Sequence, residues 1–367
     1  MEPPSTKPFT ELTLDINYQK YCSTVDSKLG IATLVGSSEY NAISDDALKD
    51  EDNAGWILKL EPSVSKEWIE RIRWIRLVDR LAECELIGSK KLEFQTFLAE
   101  WQQLLQTGHV EINATYQLVL HSMRNSWFSE TGQPLDQPSI SAWNQYVLAI
   151  EKYHSTHLIV ETFEQYEQLL TELAGSFFQM LPFLADKHRP IVRHFGIVDQ
   201  FYNHLRDLQE DAEQGICYLP LALLDQFGIS RQEILQKTAP QNPNYCKMMQ
   251  FWLGGYLPRL RRKARQLITA DDLHPSWQIL CDWSVYRYRR IEQVFRECQF
   301  DYTLFPERYW QRVRDELPFM LTQIQNSHQR QPFQGSMAAI YTYLRGWQTL
   351  NIVSPIQPRS QQFLSAV

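Results

Sequence analysis

The sequence predicts an all-α protein in which amphipathic helices pack around an apolar core. Apolar residues recur at steps of three and four along most of the 367-residue chain, which is the spacing of one helix face. Strand-like alternation is nowhere sustained, and clusters of proline and glycine separate the periodic segments. An apolar fraction of 44%, with 13% aromatic residues, is sufficient for a large core.

The periodic segments define the predicted helices in chain order. The first, SKEWIERIRWIRLVDRLAECELIG, begins at residue 65 and has apolar side chains at steps of three and four residues. These side chains are Trp68, Ile69, Ile72, Ile75, Leu77, Val78 and Leu81. The same periodicity recurs in four later segments, at 91–106, 161–181, 248–268 and 276–298. We therefore expect helices to dominate the chain from residue 53 onward.

Composition divides the chain into three predicted parts. Residues 1–52 form a polar N-terminal extension that ends in an acidic, linker-like run, SDDALKDED at 44–52. Residues 53–330 form the helical domain. Residues 331–367 add one C-terminal helix and a proline-rich, loose tail.

Charge and cysteine content exclude several classes of protein. A net charge of −7 and a pI near 5.8 argue against nucleic acid as a partner. The six cysteines form no C-x-x-C pair, which is typical of thiols in a reducing compartment. The N-terminus lacks the pattern of a secretion signal, and no apolar run reaches the ~18 residues of a membrane span. We expect a cytoplasmic protein whose contact with a membrane, if it has one, is peripheral.

Other features are interpreted as ordinary. The basic run PRLRRKARQ at 258–266 is predicted to be a solvated helix face, in preference to a membrane-binding or diphosphate-binding surface. The histidines show no metal-ligand spacing; those considered are His154, His188, His194 and His204. No G-x-G-x-x-G motif occurs, so nothing indicates a Rossmann site, and the use of NADPH is left open.

The stretch NHLRDLQEDAEQG at 203–215 is unusually acidic. Gln200, Asn203, Asp207 and Asp211 recur at three- and four-residue steps, so they share one helix face. Two carboxylates four residues apart repel each other unless a cation lies between them. No lysine or arginine on this face supplies that charge, since Arg206 lies to its side. Two interpretations are open, a solvated acidic face or a set of metal ligands.

A second acidic pair favours the metal. Asp79 and Glu83 are also four residues apart, and Arg76 precedes them by one turn. Two carboxylate pairs on two helices suit a bundle whose facing helices hold metal ions between them. Oxygen ligands of this kind favour Mg²⁺, which typically bridges carboxylates to a substrate phosphate. Arginines beside both pairs fit a diphosphate substrate, because guanidinium groups bind phosphate oxygens.

These motifs resemble those of a known family. The segment GIVDQFYNHLRDLQEDAEQGICYLPLALLDQFGIS at 196–230 resembles the second aspartate motif of the squalene/phytoene synthases. The matching residues are Gln200, Asn203, Arg206, Asp207, Glu210, Asp211, Gly215, Tyr218, Leu219 and Pro220. IRWIRLVDRLAE resembles their first motif, with Arg76, Asp79 and Glu83 at its key positions. TFEQYEQLLTELAG and YRYRRIEQVFRECQFD are similar to further segments, and the resemblance extends over residues 53–310.

The resemblance implies a fold, a cofactor and a reaction. The fold is an isoprenoid-synthase-like helical bundle around a central apolar cavity. The cofactor is Mg²⁺, and the reaction is head-to-head condensation of two prenyl diphosphates, farnesyl or geranylgeranyl, in carotenoid or triterpenoid biosynthesis. The implied catalytic residues are Asp79, Glu83, Asp207 and Asp211, which with Asn203 would hold the metal. The implied substrate-binding residues are Arg76, Gln200, Asn203, Arg206 and Tyr218.

The chain departs from the family pattern at several positions, which marks it as a divergent member. Leu169 stands where the family has a tyrosine, with Tyr166 three residues earlier. NAGW at 53–56 aligns with a motif that carries a basic residue and two hydroxyls. Glu83 replaces an aspartate and Ile216 replaces an arginine. These departures remove more of the family's binding residues from the first-substrate side of the site than from the side around Asp207.

Two alternatives to a two-substrate prenyltransferase therefore remain. One is a non-catalytic binding or assembly protein of the same fold, and the other is ionisation or cyclisation of a single prenyl diphosphate. Substrate chain length, product and oligomeric state are not determined by the sequence.

Overall fold

The computed structural model describes residues 47–88 and 92–329. Those residues form α-helices joined by short 3₁₀ and π-helical turns, and no strand occurs among them. The all-α prediction is confirmed. Most of the predicted N-terminal extension, and the predicted C-terminal helix and tail at 331–367, lie outside the described residues. No helix in the described ranges is long and apolar enough to cross a membrane.

The helices follow one another in the order that the periodicity predicts. The first part of the described chain contains α1 (Ala47–Ala54), α2 (Pro62–Ala82), α3 (Glu93–Thr107), α4 (Gln117–Trp127), α5 (Gln137–Tyr153), α6 (Phe163–Glu172) and α7 (Ala174–Phe177). The second part contains α8 (Arg189–Arg206), α9 (Leu208–Glu213), α10 (Leu221–Phe227), α11 (Arg231–Leu235), α12 (Tyr245–Phe251), α13 (Leu257–Ile268), α14 (Pro275–Glu297) and α15 (Phe305–Gln329). A π-helical turn, Glu83–Ile87, continues α2.

Helix α1 corrects one expectation. The acidic run at 44–52 is predicted to be a linker, but its described part belongs to this helix, which packs against α14 and α15. Asp50, Glu51 and Asp52 are buried. The carboxylate of Asp52 pairs with Arg290 and accepts a hydrogen bond from Tyr309. Acidic residues indicate a solvated linker only when nothing pairs with them, and here distant arginines do.

The central helix is α8, which packs against α6, α7, α13 and α14. Gly196 permits the close approach of α8 to α7, because a Cβ atom here would lie 2.7 Å from the carbonyl carbon of Ala174. Tryptophans fill much of the surrounding core, often edge to face. Those that are almost fully buried are Trp56, Trp68, Trp74, Trp101, Trp127, Trp143, Trp252 and Trp277.

The chain bends where α8 meets α9, at the acidic stretch. Asp207 is the junction residue, and its backbone (φ −93°, ψ 8°) leaves the regular α-helical conformation. The amide of Asp211 still donates to the carbonyl of Asp207 at 2.8 Å, so the two carboxylates remain one turn apart. Gly215 then adopts φ +78°, a left-handed conformation that favours glycine. The turn it makes leads the chain to Tyr218, which lines the same cavity as the acidic pair.

Candidate active site

A cavity of about 270 Å³ lies among α1, α2, α5, α8, α9 and α14. Every residue predicted for the site lines it. They are Arg76, Asp79, Glu83, Gln200, Asn203, Arg206, Asp207, Asp211 and Tyr218. The structure thus brings together motifs that are more than a hundred residues apart in the chain. The individual roles of these residues stay predictions.

The first acidic pair lies at the end of α2. Tyr146 on α5 donates a hydrogen bond to Oδ1 of Asp79 at 2.6 Å. Burial raises the pKa of Asp79, because a carboxylate removed from water loses its hydration. Glu83 begins the π-helical turn and forms an ion pair with Arg80 at 2.8 Å. The two carboxylates therefore differ in their partners. Asp79 is held by the hydroxyl of Tyr146, whereas Glu83 is paired with the guanidinium group of Arg80.

The second acidic pair is held asymmetrically. Arg206 donates two hydrogen bonds to Asp207, from Nε at 2.7 Å and Nη2 at 2.8 Å, and Lys49 lies 3.3 Å from Oδ2. Burial opposes the charge of Asp207, but the coulombic attraction of Arg206 and Lys49 outweighs it and lowers the pKa. Burial raises the pKa of Asp211 well above its ordinary value, and the negative charges of Asp207 and Glu210 add to that rise. A positive ion near Asp211 would relieve both effects.

In the described part of the chain, the motif of α8 and α9 places two buried oxygens without a hydrogen-bond partner at the cavity. One is Oδ2 of Asp211 and the other is Oδ1 of Asn203. The amide of Asn203 donates through Nδ2 to Asp199 at 3.2 Å, which directs its nitrogen to the carboxylate and leaves its oxygen as an acceptor. Asp199 itself accepts from Tyr288 at 2.7 Å and from Arg287. Buried acceptors without partners are uncommon, and they are the atoms that a cation would use.

Gln200 and Tyr218 meet at a neutral histidine. The Gln200 side-chain amide lies 3.0 Å from Nε2 of His204, and the ring of Tyr218 stacks on the imidazole at 4.1 Å. Burial lowers the pKa of His204 to about 3, so the ring is uncharged. Tyr166 approaches Nδ1 of this histidine at 3.3 Å and does not line the cavity, while Leu169 is fully buried. In this structure Tyr166 does not substitute for the tyrosine that the family has at position 169.

Several cavity residues were not identified from the sequence. They are Lys49, Asp50, Tyr146, Asp199 and Arg287. The oxygen of Asn53 accepts from Arg206 at 3.0 Å and also from Arg287, so it joins two buried arginines. Of these residues, only Asp199 could be inferred from sequence spacing, because it lies four residues before Asn203 on the same helix face. The other contacts join segments far apart in the chain, which periodicity does not reveal.

Other sequence predictions concern residues outside the acidic pairs. Within α13 the exposed basic residues are Arg259, Arg262, Lys263 and Arg265, as expected for a solvated face. Arg261 differs, because it is buried and pairs with Glu292. Across residues 47–88 and 92–329, no three His, Cys, Asp or Glu side chains come together as a ready metal site.

Comparison with known proteins decides the family. Residues 60–314 match the family model of squalene/phytoene synthase. The chain belongs to the squalene/phytoene synthase family. This family member is 34% identical over 109 residues to a 15-cis-phytoene synthase from Synechococcus elongatus, a match that covers 29% of the chain and 33% of that relative. It is 33% identical over 92 residues to a 15-cis-phytoene synthase from Enterobacter agglomerans, covering 25% of the chain and 30% of that relative.

The fold of this family member is also found in a solved structure. A dehydrosqualene synthase crystallised in complex with a ligand has a TM-score of 0.53 to it, covering 83% of this chain and 99% of that one. The identity is 13%, so this likeness supports the all-α fold alone. The matches to the two phytoene synthases span a third or less of those relatives, and they support membership of a prenyltransferase family without specifying the reaction.

Proposed function

We propose that this squalene/phytoene synthase family member is a Mg²⁺-dependent prenyltransferase, a transferase of alkyl groups other than methyl. It ionises an allylic prenyl diphosphate and condenses two prenyl diphosphates head to head. The observation that carries the proposal is that the pairs Asp79/Glu83 and Asp207/Asp211 line one cavity together with Arg76 and Arg206. Two acidic pairs beside two arginines provide for both the cation and the diphosphate.

The residues present fit a magnesium ion. Oδ1 of Asn203 and Oδ2 of Asp211 are buried oxygens without hydrogen-bond partners among the described residues, and Mg²⁺ prefers oxygen ligands. Because no three acidic or histidine side chains cluster there, the protein would supply few of the ligands, as it commonly does for Mg²⁺ bound with a phosphate. When bound, the ion takes up negative charge that develops on the departing diphosphate.

The chain's own residues hold this arrangement in place. Arg206 fixes both oxygens of Asp207, Tyr146 fixes Asp79, and Asp199 orients the amide of Asn203. These contacts pre-organise the acidic pairs before a substrate arrives. Apolar and aromatic side chains that also line the cavity would exclude water from an allylic cation and present ring faces to it. They include Trp56, Trp68, Ile72, Phe177, Phe178 and Leu181.

The proposal is tested by incubation with farnesyl or geranylgeranyl diphosphate and Mg²⁺, with release of pyrophosphate as the measurement. Asp207→Ala is expected to abolish the release. Glu213→Ala is the matched control, because Glu213 lies on α9 but pairs with Lys237 at 2.7 Å and does not line the cavity. Failure of the wild-type protein to release pyrophosphate from either substrate would refute the proposed reaction.

A single-substrate reaction is the second candidate, favoured by NAGW at 53–56, which lacks the basic residue and the two hydroxyls that the family carries on the first-substrate side. Analysis of the product separates the two reactions, because condensation joins two prenyl chains whereas ionisation or cyclisation retains one.

A non-catalytic binding protein is the third candidate, favoured by Leu169 and by Asn53 at the position of a family hydroxyl. It predicts that Mg²⁺ with a non-hydrolysable prenyl diphosphate raises the melting temperature in proportion to the logarithm of ligand concentration, without turnover of the natural substrate.

A further inference from the structure

The positions expected for the metal and the diphosphate are engaged by the protein's own first described turn. That turn, residues 47–50 of α1, carries a lysine followed by an aspartate. Lys49 and Asp50 both line the cavity between the two acidic motifs. Lys49 pairs with Asp207 and Glu210, and Asp50 pairs with Arg76. The proposed function gives Asp207 and Arg76 roles in binding the metal and the diphosphate.

Lys49 lies where a cation would bind. Its Nζ is 3.3 Å from Oδ2 of Asp207 and 3.2 Å from Oε2 of Glu210. The ammonium group therefore neutralises the carboxylate that begins the second acidic motif. A magnesium ion at the same oxygen would have to displace that group, because two cations at one carboxylate oxygen repel each other.

Asp50 lies where a diphosphate would bind. Its Oδ1 is 2.8 Å from Nε of Arg76, and the Asp50 side chain is 4% exposed. Carboxylate and phosphate oxygens make the same kind of contact with a guanidinium group. An anion arriving at Arg76 therefore competes with a carboxylate already in place.

We propose that residues 47–50 are an internal plug, in which Lys49 takes the place of the metal and Asp50 the place of the diphosphate, and that the metal–diphosphate pair binds by displacing it. This inference rests on the proposed function of the same cavity. The plug also narrows the cavity, since its side chains form part of the cavity wall.

The far half of α1 is anchored to the bundle by contacts that do not involve the plug. Asp52 anchors the far half of α1 through Arg290, through Tyr309 at 2.5 Å and through its carbonyl, which accepts from Trp283 at 2.6 Å. Within α1, displacing the plug breaks the bonds that its carbonyls accept from the amides of residues 51–54 in a regular helix. Movement would thus be confined to the segment before Asp52, and both ion pairs of the plug would be released together.

Calorimetric titration with Mg²⁺ and inorganic pyrophosphate tests the plug. Lys49→Gln and Asp50→Asn are expected to lower the dissociation constant by about fivefold or more, because a competing group has been removed. Matched controls remove the same charges elsewhere. They are Lys187→Gln, which breaks an exposed pair with Asp272, and Asp186→Asn, which breaks a 2.9 Å pair with Arg189. Both controls are expected to bind as the wild type does.

The direction of the change decides between the plug and a direct role in binding. If Lys49 or Asp50 contributes ligands or only structure, the variants bind more weakly than the wild type or equally well, and the plug is rejected while the proposed function stands. If neither the wild type nor any variant binds Mg²⁺ with pyrophosphate, the proposed function fails and the plug with it. Circular dichroism checks that each variant is folded.

Hydrogen exchange on the unmutated protein gives an independent result. The amides of residues 51–54 bond to carbonyls of the plug in a regular helix. Adding Mg²⁺ and pyrophosphate is expected to accelerate their exchange, because the ligand and the plug exclude each other. Unchanged or slower exchange on saturation with the ligand contradicts the inference.

Discussion

Asp199 is expected to be a buried positioning residue whose loss destabilises the protein. The residue is 5% exposed. Its carboxylate accepts hydrogen bonds from Arg287, from Tyr288 at 2.7 Å and from Asn203 at 3.2 Å. Burial by itself lowers the pKa of Arg287, but the charge of Asp199 outweighs it and raises that pKa, so the arginine stays charged. Asp199→Leu would leave a buried guanidinium without its ion-pair partner, which costs about 3–5 kcal/mol.

The double variant separates this explanation from a simple loss of packing. Replacing both members of a buried ion pair with apolar residues is far less costly than removing one. Asp199→Leu/Arg287→Met is therefore expected to be less destabilised than the sum of the two single variants, by about 2 kcal/mol. Urea denaturation measures the free energy of unfolding of all four proteins. The explanation is rejected if the changes in unfolding free energy of the two single variants simply add in the double variant. It is also rejected if Asp199→Leu lowers that free energy by less than about 1 kcal/mol.

Three further predictions concern other parts of the structure. Gly196→Ala should lower the free energy of unfolding by about 1–3 kcal/mol, because its Cβ would meet the backbone of α7, whereas Gly254→Ala, with nothing within 4 Å, should not; equal melting temperatures would contradict this. Leu169→Tyr should also destabilise by about 1–3 kcal/mol without increasing pyrophosphate release, since position 169 is fully buried; a rise in release would overturn the reasoning. Burial raises the pKa of Cys217 to about 11, so this thiol stabilises the fold fully below pH 9 and progressively less as the pH rises towards 11. At pH 8.5, iodoacetamide should modify the exposed Cys246 but not Cys217, and mass spectrometry would reveal any early modification of Cys217.

Much of the fold could be predicted because helices are local. Leu77, Val78 and Leu81 share a face by spacing alone, and all three are buried in α2. The pairing of Asp79 with Glu83, and of Asp207 with Asp211, is likewise a consequence of four-residue spacing. That both pairs reach one cavity was inferred from the presence of two carboxylate pairs and from the family resemblance, because periodicity carries no information about which helices face each other.

The misread segment was the acidic run before residue 53. Its composition is typical of solvated linkers, yet Asp52 is fully buried because Arg290 and Tyr309 pair with it. Asp52 and Arg290 are 238 residues apart in the sequence, so no local sequence pattern predicts their contact. Charge patterns are reliable guides to burial only when the partners lie within a few residues.

The sequence by itself determined the helices, the two acidic motifs and the family, because each depends on residues within a few turns of one another. Only the tertiary structure decided what surrounds those motifs. It placed Tyr146 on Asp79 and Asp199 on Asn203, and it brought Lys49 to Asp207 across more than 150 residues of chain. The physical reason is that coulombic and hydrogen-bonding contacts act over a few ångströms in space, whatever the distance along the chain.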